Sequence, residues 1–227
     1  MNPDTDFNLD LLKKTSIIFN MKATQTPISQ GQVILRRLAK MGRGWAFTPH
    51  DFADLGDPRA VGVTLGRLVR DGKIRRISRG IYDCPHDHPL LGKTGATSDD
   101  VVAAVARGRH LRLLPSPQVA ANQLGLSTQV PARLIYQSDG APTTLSLGNR
   151  QIVFRRNTGR NLALAGRASG LVAQALRDFG KGNVAPDTIR HLRRRLDADA
   201  RKQLVADIAL VPAWMRPIFT EIARDDD

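Results

Sequence analysis

The run from Thr48 to Tyr82 constrains this chain more than any other segment. It consists of three blocks, TPHDFADLG, DPRAVGVTLGRLVRDG and KIRRISRGIY, and each carries its own start and stop signals. Thr48 is placed to cap a first helix, Pro49 suits its first position, and Asp51 completes a capping-box pattern. Phe52 and Leu55 are its expected core contacts, and Gly56 makes the turn. Asp57 caps the next helix and Pro58 opens it. Val61, Leu65, Leu68 and Val69 then recur at i, i+4, i+7 and i+8, which defines one buried face. At about 100° per residue, the opposite face carries Arg59, Val63, Gly66, Arg67 and Arg70. Asp71-Gly72 stops that helix. Lys73 to Ile77 reads as a strand with Ile74 and Ile77 apolar, Ser78-Arg79-Gly80 as a turn, and Gly80-Ile81-Tyr82 as the returning strand. Helix, turn, helix, basic hairpin is the layout of a winged helix-turn-helix. With a preceding helix capped by Ser29 and cored by Val33, Ile34, Leu35 and Leu38, residues 29–84 are expected to form one.

The rest of the chain mixes strand and helix signals, so the expected class is α+β. Pro85 to Pro89 reads as a loop and a domain boundary. Residues 90–227 follow as a second domain, with a mixed sheet to about 157 and helix from about 168. Ser98-Asp99-Asp100 starts a helix through Val105, and Ser116-Pro117 starts another that closes near Gly125. Ala132 to Gln137 is a strand candidate. Thr143 to Leu147 and Gln151 to Arg155 form a hairpin around Gly148-Asn149. After Gly166 the spacing turns helical, with Leu171, Val172, Ala175, Leu176 and Phe179 on one face and Ile189, Leu192 and Leu196 on the next. Residues 1–28 read as a tail, with a short docking helix as the alternative. Their acidic start and short apolar patch at Ile17 to Phe19 do not make a signal peptide.

The chain has 227 residues and a formal net charge of +13. Such a balance favours a polyanionic partner. Double-stranded DNA is the natural one here, because the proposed wing carries Lys73, Arg75, Arg76 and Arg79 with no acidic residue among them. Lysine and arginine release the counterions condensed on the phosphate backbone, and that release supplies most non-specific affinity. Arg59 lies where a helix N-terminus also favours an anion. Arg67 and Arg70 are placed to reach base edges, and Val63 to touch a thymine methyl. A second acid-free basic stretch, Arg150, Arg155, Arg156, Arg160 and Arg167, is either another nucleic-acid surface or a solvated sheet face. Arg193-Arg194-Arg195 reads as a solvent face whose stems cover apolar surface.

Three further patterns carry less. Cys84-Pro85-His86-Asp87-His88 is dense in metal-ligand types, but a structural zinc site needs four ligands and Cys84 is the single cysteine. No metal or cofactor is expected. One cysteine also excludes an internal disulfide framework, which fits a reducing cytoplasm. Asp99-Asp100 could pair for metal-dependent nuclease chemistry, but acids directly after Ser98 simply favour a helix start. Ser116 and Ser127 have no nearby base, and there is no glycine-rich phosphate loop. No enzyme activity is expected, and no apolar run is long enough to span a membrane.

The blocks FTPHDFADLGDPRAVGVTLGRLVRDGKIRRISRGIYDCP, AANQLGLSTQVPARLIYQSDG and IVFRR, in that order, resemble the AbiEi-type antitoxins of type IV toxin–antitoxin systems, in the DUF6088-like branch. The similarity runs from about Ser29 to Arg156 and continues more weakly in the helices beyond. It implies an N-terminal winged helix that binds and represses its own promoter. It implies a C-terminal domain with antitoxin activity, and a cognate nucleotidyltransferase-like toxin opposed without a tight inhibitory complex. The DNA-facing positions matched are Arg59, Arg67, Arg70, Lys73, Arg75, Arg76 and Arg79. The extension before Ser29 departs from the pattern. The alternative is a stand-alone regulator whose second domain senses a ligand or dimerises.

Overall fold

The computed structural model describes residues 28–42, 44–88, 92–129, 131–159 and 162–224; the tail lies almost wholly outside them. The fold is mixed α+β. It begins with α1 (Gln30–Met41), β1 (Ala46–Phe47), a 3-10 turn (Pro49–Leu55), α2 (Pro58–Arg70), β2 (Arg75–Ser78) and β3 (Ile81–Asp83). There follow β4 (His86–His88), β5 (Gly92–Thr94), α3 (Ser98–Arg109), β6 (Leu113–Pro115), α4 (Pro117–Gln123), β7 (Arg133–Ser138), β8 (Thr143–Leu147) and β9 (Arg150–Arg156). The chain ends in α5 (Ala168–Phe179), α6 (Pro186–Arg195), α7 (Ala198–Ala206) and α8 (Arg216–Ala223).

Local chemistry explains most of these elements. Ser29 and Gln32 form a reciprocal capping box at α1. The Asp57 carboxylate accepts from Arg59 N at 2.8 Å at the start of α2, and Gly72, at φ 66°, follows its end. Val61, Leu65 and Leu68 are buried with Phe47, Phe52, Ile74 and Tyr82 in a first core. Each such side chain contributes about 1.5–3 kcal/mol relative to exposure.

The expected helix after Thr48 is a 3-10 turn broken at Phe52 (φ −123°, ψ 24°). Phe52 is fully buried, edge-on to Phe47 with centroids 5.6 Å apart. Seating that ring in the core takes precedence over helical regularity, while the Thr48–Asp51 cap persists, with Thr48 N donating to Asp51 Oδ2 at 2.7 Å. The returning hairpin is also less regular than expected. Ile74 and Ile77 are three apart and cannot share a strand face by strict alternation. A register shift between Arg76 and Ser78 resolves this, placing Ile77 in a bulge. Pro85 to Pro89 is not simply a loop, because β4 pairs antiparallel with β5.

The four-stranded sheet has the order β6-β7-β9-β8. β8 and β9 form the expected hairpin, turned by Gly148 at φ 55°, and β9 lies parallel to β7. One face of this sheet buries Leu134, Tyr136, Leu145, Ile152 and Phe154 against Val101, Val102 and Val105 of α3. Ala46 and Ile81 join the same cluster, so the boundary read at 85–89 separates segments in sequence but not in packing. Arg107 of α3 reinforces the junction: it bonds Asp51 Oδ1 at 3.0 Å and Ala46 O at 2.8 Å, and lies 5.2 Å from the Trp45 ring centroid. Gly108 packs directly on Thr48, and a Cβ there would meet Thr48 Oγ1 at 2.6 Å. Gly108→Val is therefore expected to destabilise by about 1–3 kcal/mol, read as a lower urea midpoint at unchanged slope. An unchanged midpoint would disprove the close packing.

The last four helices close around Leu176, Leu192, Leu204, Met215, Phe219 and Ile222, with Ala120, Ala121 and Leu124 of α4 in the same core. No helix among the described residues is long and apolar enough to cross a membrane.

Candidate nucleic-acid interface

α2 buries one side and leaves the other to solvent, as its spacing requires. Arg59, Val63, Arg67 and Arg70 are all exposed, Val63 at 59 %. Val63 is thus an exposed valine among arginines on a helix otherwise anchored by its buried face. Lys73, Arg76 and Arg79 on the adjoining hairpin are exposed too. Ser78 pairs with Ile81, so Arg79-Gly80 is a two-residue turn, with Gly80 at φ 75° and Arg79 at the tip. Among the described residues, none of Arg59, Arg67, Arg70, Lys73, Arg76 or Arg79 makes an ion pair.

The 3-10 turn before α2 and the end of α3 extend this face. Arg59 and Arg79 line one cleft of about 290 Å³ together with His50 and Arg109. No carboxylate lines it among the described residues. Sequence reading missed both: His50 lies in the first block of the run but on its 3-10 turn rather than on the arginine face of α2, and Arg109 lies on α3, outside the run. Arg109, at the end of α3, is held by a hydrogen bond to Thr143 Oγ1 at 3.0 Å.

Arg75 has a different role from its neighbours. Its Nε and Nη2 reach Asp83 Oδ1 and Oδ2 at 3.0 and 2.6 Å, and Asp83 is fully buried. Asp83 Oδ2 also accepts from Ala96 N at 2.9 Å. The hydrogen bonds from Arg75 to Asp83 raise the arginine's pKa above its ordinary value. The guanidinium locks β2 to β3, so its charge is already paired with a carboxylate, unlike those of Lys73, Arg76 and Arg79. The acid missing from the run KIRRISRGIY stands just after it.

The second basic stretch does not form one patch. Arg150, Arg155 and Arg156 are exposed, but Arg155 leaves the sheet on the opposite face from Arg150 and Arg156, which flank buried Ile152 and Phe154. Arg160 lies outside the described residues. Arg167 is paired with Asp207. On α6, Arg194 and Arg195 are exposed, whereas Arg193 is half-buried and bonds Glu221 O at 2.7 Å.

Asp99 and Asp100 have structural partners. Asp100 closes a capping box with Thr97, and Asp99 accepts from Gln123 Nε2 at 3.0 Å and Tyr136 OH at 3.4 Å. Burial, then the nearby Asp99 charge, keeps the Tyr136 phenol protonated well above its ordinary range. Cys84 is half-buried, and burial raises its thiol pKa. The side chains of His86, Asp87 and His88 lie outside the described set. No group of three or more metal-ligand residues occurs among those that are described.

A family model described as a family of unknown function, DUF6088, matches residues 33–204. The chain belongs to the DUF6088 family. The match runs from within α1 into α7, so the DUF6088 unit contains the arginine-bearing helix, the basic hairpin, the mixed sheet, α5, α6 and most of α7. No curated protein matches the chain.

Proposed function

We propose that this protein is the antitoxin of a type IV toxin–antitoxin system, that it represses its own promoter through a winged helix-turn-helix spanning residues 29–84, and that it opposes a nucleotidyltransferase-like toxin through residues 90–227. The observation that carries the DNA-binding part is the exposed face of Arg59, Val63, Arg67 and Arg70, continuous in charge with Lys73, Arg76 and Arg79 and lacking ion pairs among the described residues. In this reading α2 enters the major groove, the hairpin follows a phosphate strand, and His50 and Arg109 add phosphate contacts beside Arg59. The antitoxin part rests on the resemblance of the three sequence blocks. The protein acts in the cytoplasm, where its promoter is.

Fluorescence anisotropy on the protein's own upstream duplex against a scrambled duplex, across a salt series, tests the repressor reading. Preference for the native duplex near physiological salt is the expected result. Arg67→Ala or Arg70→Ala, each losing a base contact, is expected to weaken specific binding by about 1–3 kcal/mol, roughly 5- to 150-fold. Arg76→Ala, losing a phosphate contact, weakens both duplexes alike and lowers the salt slope by about 0.9. Equal, steeply salt-dependent binding to both duplexes would overturn sequence reading. Co-expression with the neighbouring gene's product tests the antitoxin part: rescue of growth supports it, and a harmless neighbour removes it. A stand-alone regulator with a ligand-sensing second domain is the other reading, favoured by the large cavity beside the mixed sheet.

A further inference from the structure

The cavity of about 610 Å³ between the mixed sheet, α5 and the segment 210–212 has an unusual lining. Gln174, on the buried side of α5, is 2 % exposed and lines it. Its carboxamide makes no hydrogen bond among the described residues, yet is not sealed from the cavity. A buried amide without a partner costs about 1–3 kcal/mol relative to a satisfied one. Three more polar groups face the same space. Gln137 is the penultimate residue of β7, and its Oε1 accepts from Asn157 Nδ2, which leaves the Gln137 amide nitrogen without a hydrogen bond among the described residues. Asn157 directly follows β9, so both lie at the C-terminal end of the parallel strand pair, where open α/β sheets bind ligands. Arg177, one turn after Gln174, brings an exposed guanidinium with no ion pair among the described residues. Arg155, the register partner of Gln137, is exposed on the same sheet face. Leu114 and Val211 supply apolar wall. No carboxylate lines the cavity among the described residues.

We infer that this cavity binds a nucleoside phosphate. A carboxamide presents an N–H donor and a carbonyl acceptor side by side, the pattern that pairs with the edge of a nucleobase. The apolar wall suits the faces of a planar ring. Arg177 takes the phosphate, with no carboxylate among the described lining residues to oppose it. The volume lies within the range of ligand pockets and accommodates a mononucleotide. The site is remote in sequence from α2 and its hairpin, and it does not depend on the DNA-binding reading.

The test is calorimetric titration of the full chain with the four ribonucleoside 5′-monophosphates and with their nucleosides. At least one nucleotide is expected to bind, its nucleoside more weakly. Gln174→Leu, nearly isosteric, is expected to lose binding by at least about tenfold while melting at the same or a higher temperature, because it removes an unpaired buried amide. A merely structural Gln174 would lower the melting temperature instead. Arg177→Ala, at an exposed position, is expected to abolish the advantage of nucleotide over nucleoside with the fold intact. Two results would overturn the inference. One is no binding of any of the four at about 1 mM, the weakest affinity worth assigning. The other is binding that survives both substitutions but vanishes with Arg67→Ala, which would put the nucleotide on the α2 face.

Discussion

Arg75→Ala is expected to lower folding stability by about 3 kcal/mol, the low end for breaking a buried ion pair. Asp83 is fully buried and, among the described residues, retains only the Ala96 N–H when the guanidinium is removed. The low end applies because the Arg75 side chain is 49 % exposed, so water already screens part of the attraction. The pair is tightly enclosed: a side chain at Gly95 would collide with both the guanidinium and the carboxylate. Arg75→Lys should recover little, since an ammonium cannot reproduce the two parallel hydrogen bonds. Arg76→Ala, one residue along and exposed, should leave stability within about 0.5 kcal/mol of the parent. Urea unfolding of the three variants decides the matter. A change below about 1 kcal/mol in Arg75→Ala would mean that the pair does not hold β2 to β3.

The second large effect is expected at Arg167. Its guanidinium bonds Asp207, which is buried at the end of α7 and also accepts from the buried Ser169 hydroxyl. The carboxylate sits at the N-terminus of α5, where the helix dipole favours it, and Gln203 Oε1 accepts from Ala168 N at 2.7 Å beside it. Arg167→Ala strands a buried charge between α5 and α7 and is expected to cost about 3 kcal/mol. Ser169→Ala removes one hydroxyl bond and should cost about 1 kcal/mol. Because Arg167 holds a helix joint, its loss should leave the nucleic-acid affinity of folded protein unchanged. A selective loss of affinity without loss of stability would refute this assignment.

These two arginines show where reading the chain in order falls short. Both lie in stretches that look acid-free, and both are neutralised by a carboxylate outside the stretch, Asp83 eight residues on and Asp207 forty residues on. Arg59, Arg67 and Arg70 are different. Their exposure follows from the buried spacing of Val61, Leu65 and Leu68 on the same helix, so the local pattern sufficed. Arg109 carries no local signal, because only folding brings it from α3 into the cleft beside Arg59, and His50, though in the same run, reaches that cleft only through the packing of its 3-10 turn. The same holds for the cavity at Gln174. A glutamine in an apolar helix pattern is unremarkable until β7 and β9 lie parallel beside it.

By itself the sequence determined the α+β class, the caps that start α1 and α2, the Ser116-Pro117 start of α4, the buried stripe of α2, and the β8–β9 hairpin. Those are decided by interactions within a few residues, through capping hydrogen bonds, turn geometry and hydrophobic period. Only the tertiary structure decided the break at Phe52, the bulge at Ile77, the strand order β6-β7-β9-β8, and which arginines are spent on buried carboxylates. Each of these depends on partners brought together by the core, and the cost of leaving a ring exposed or a charge unpaired outweighs local preference there.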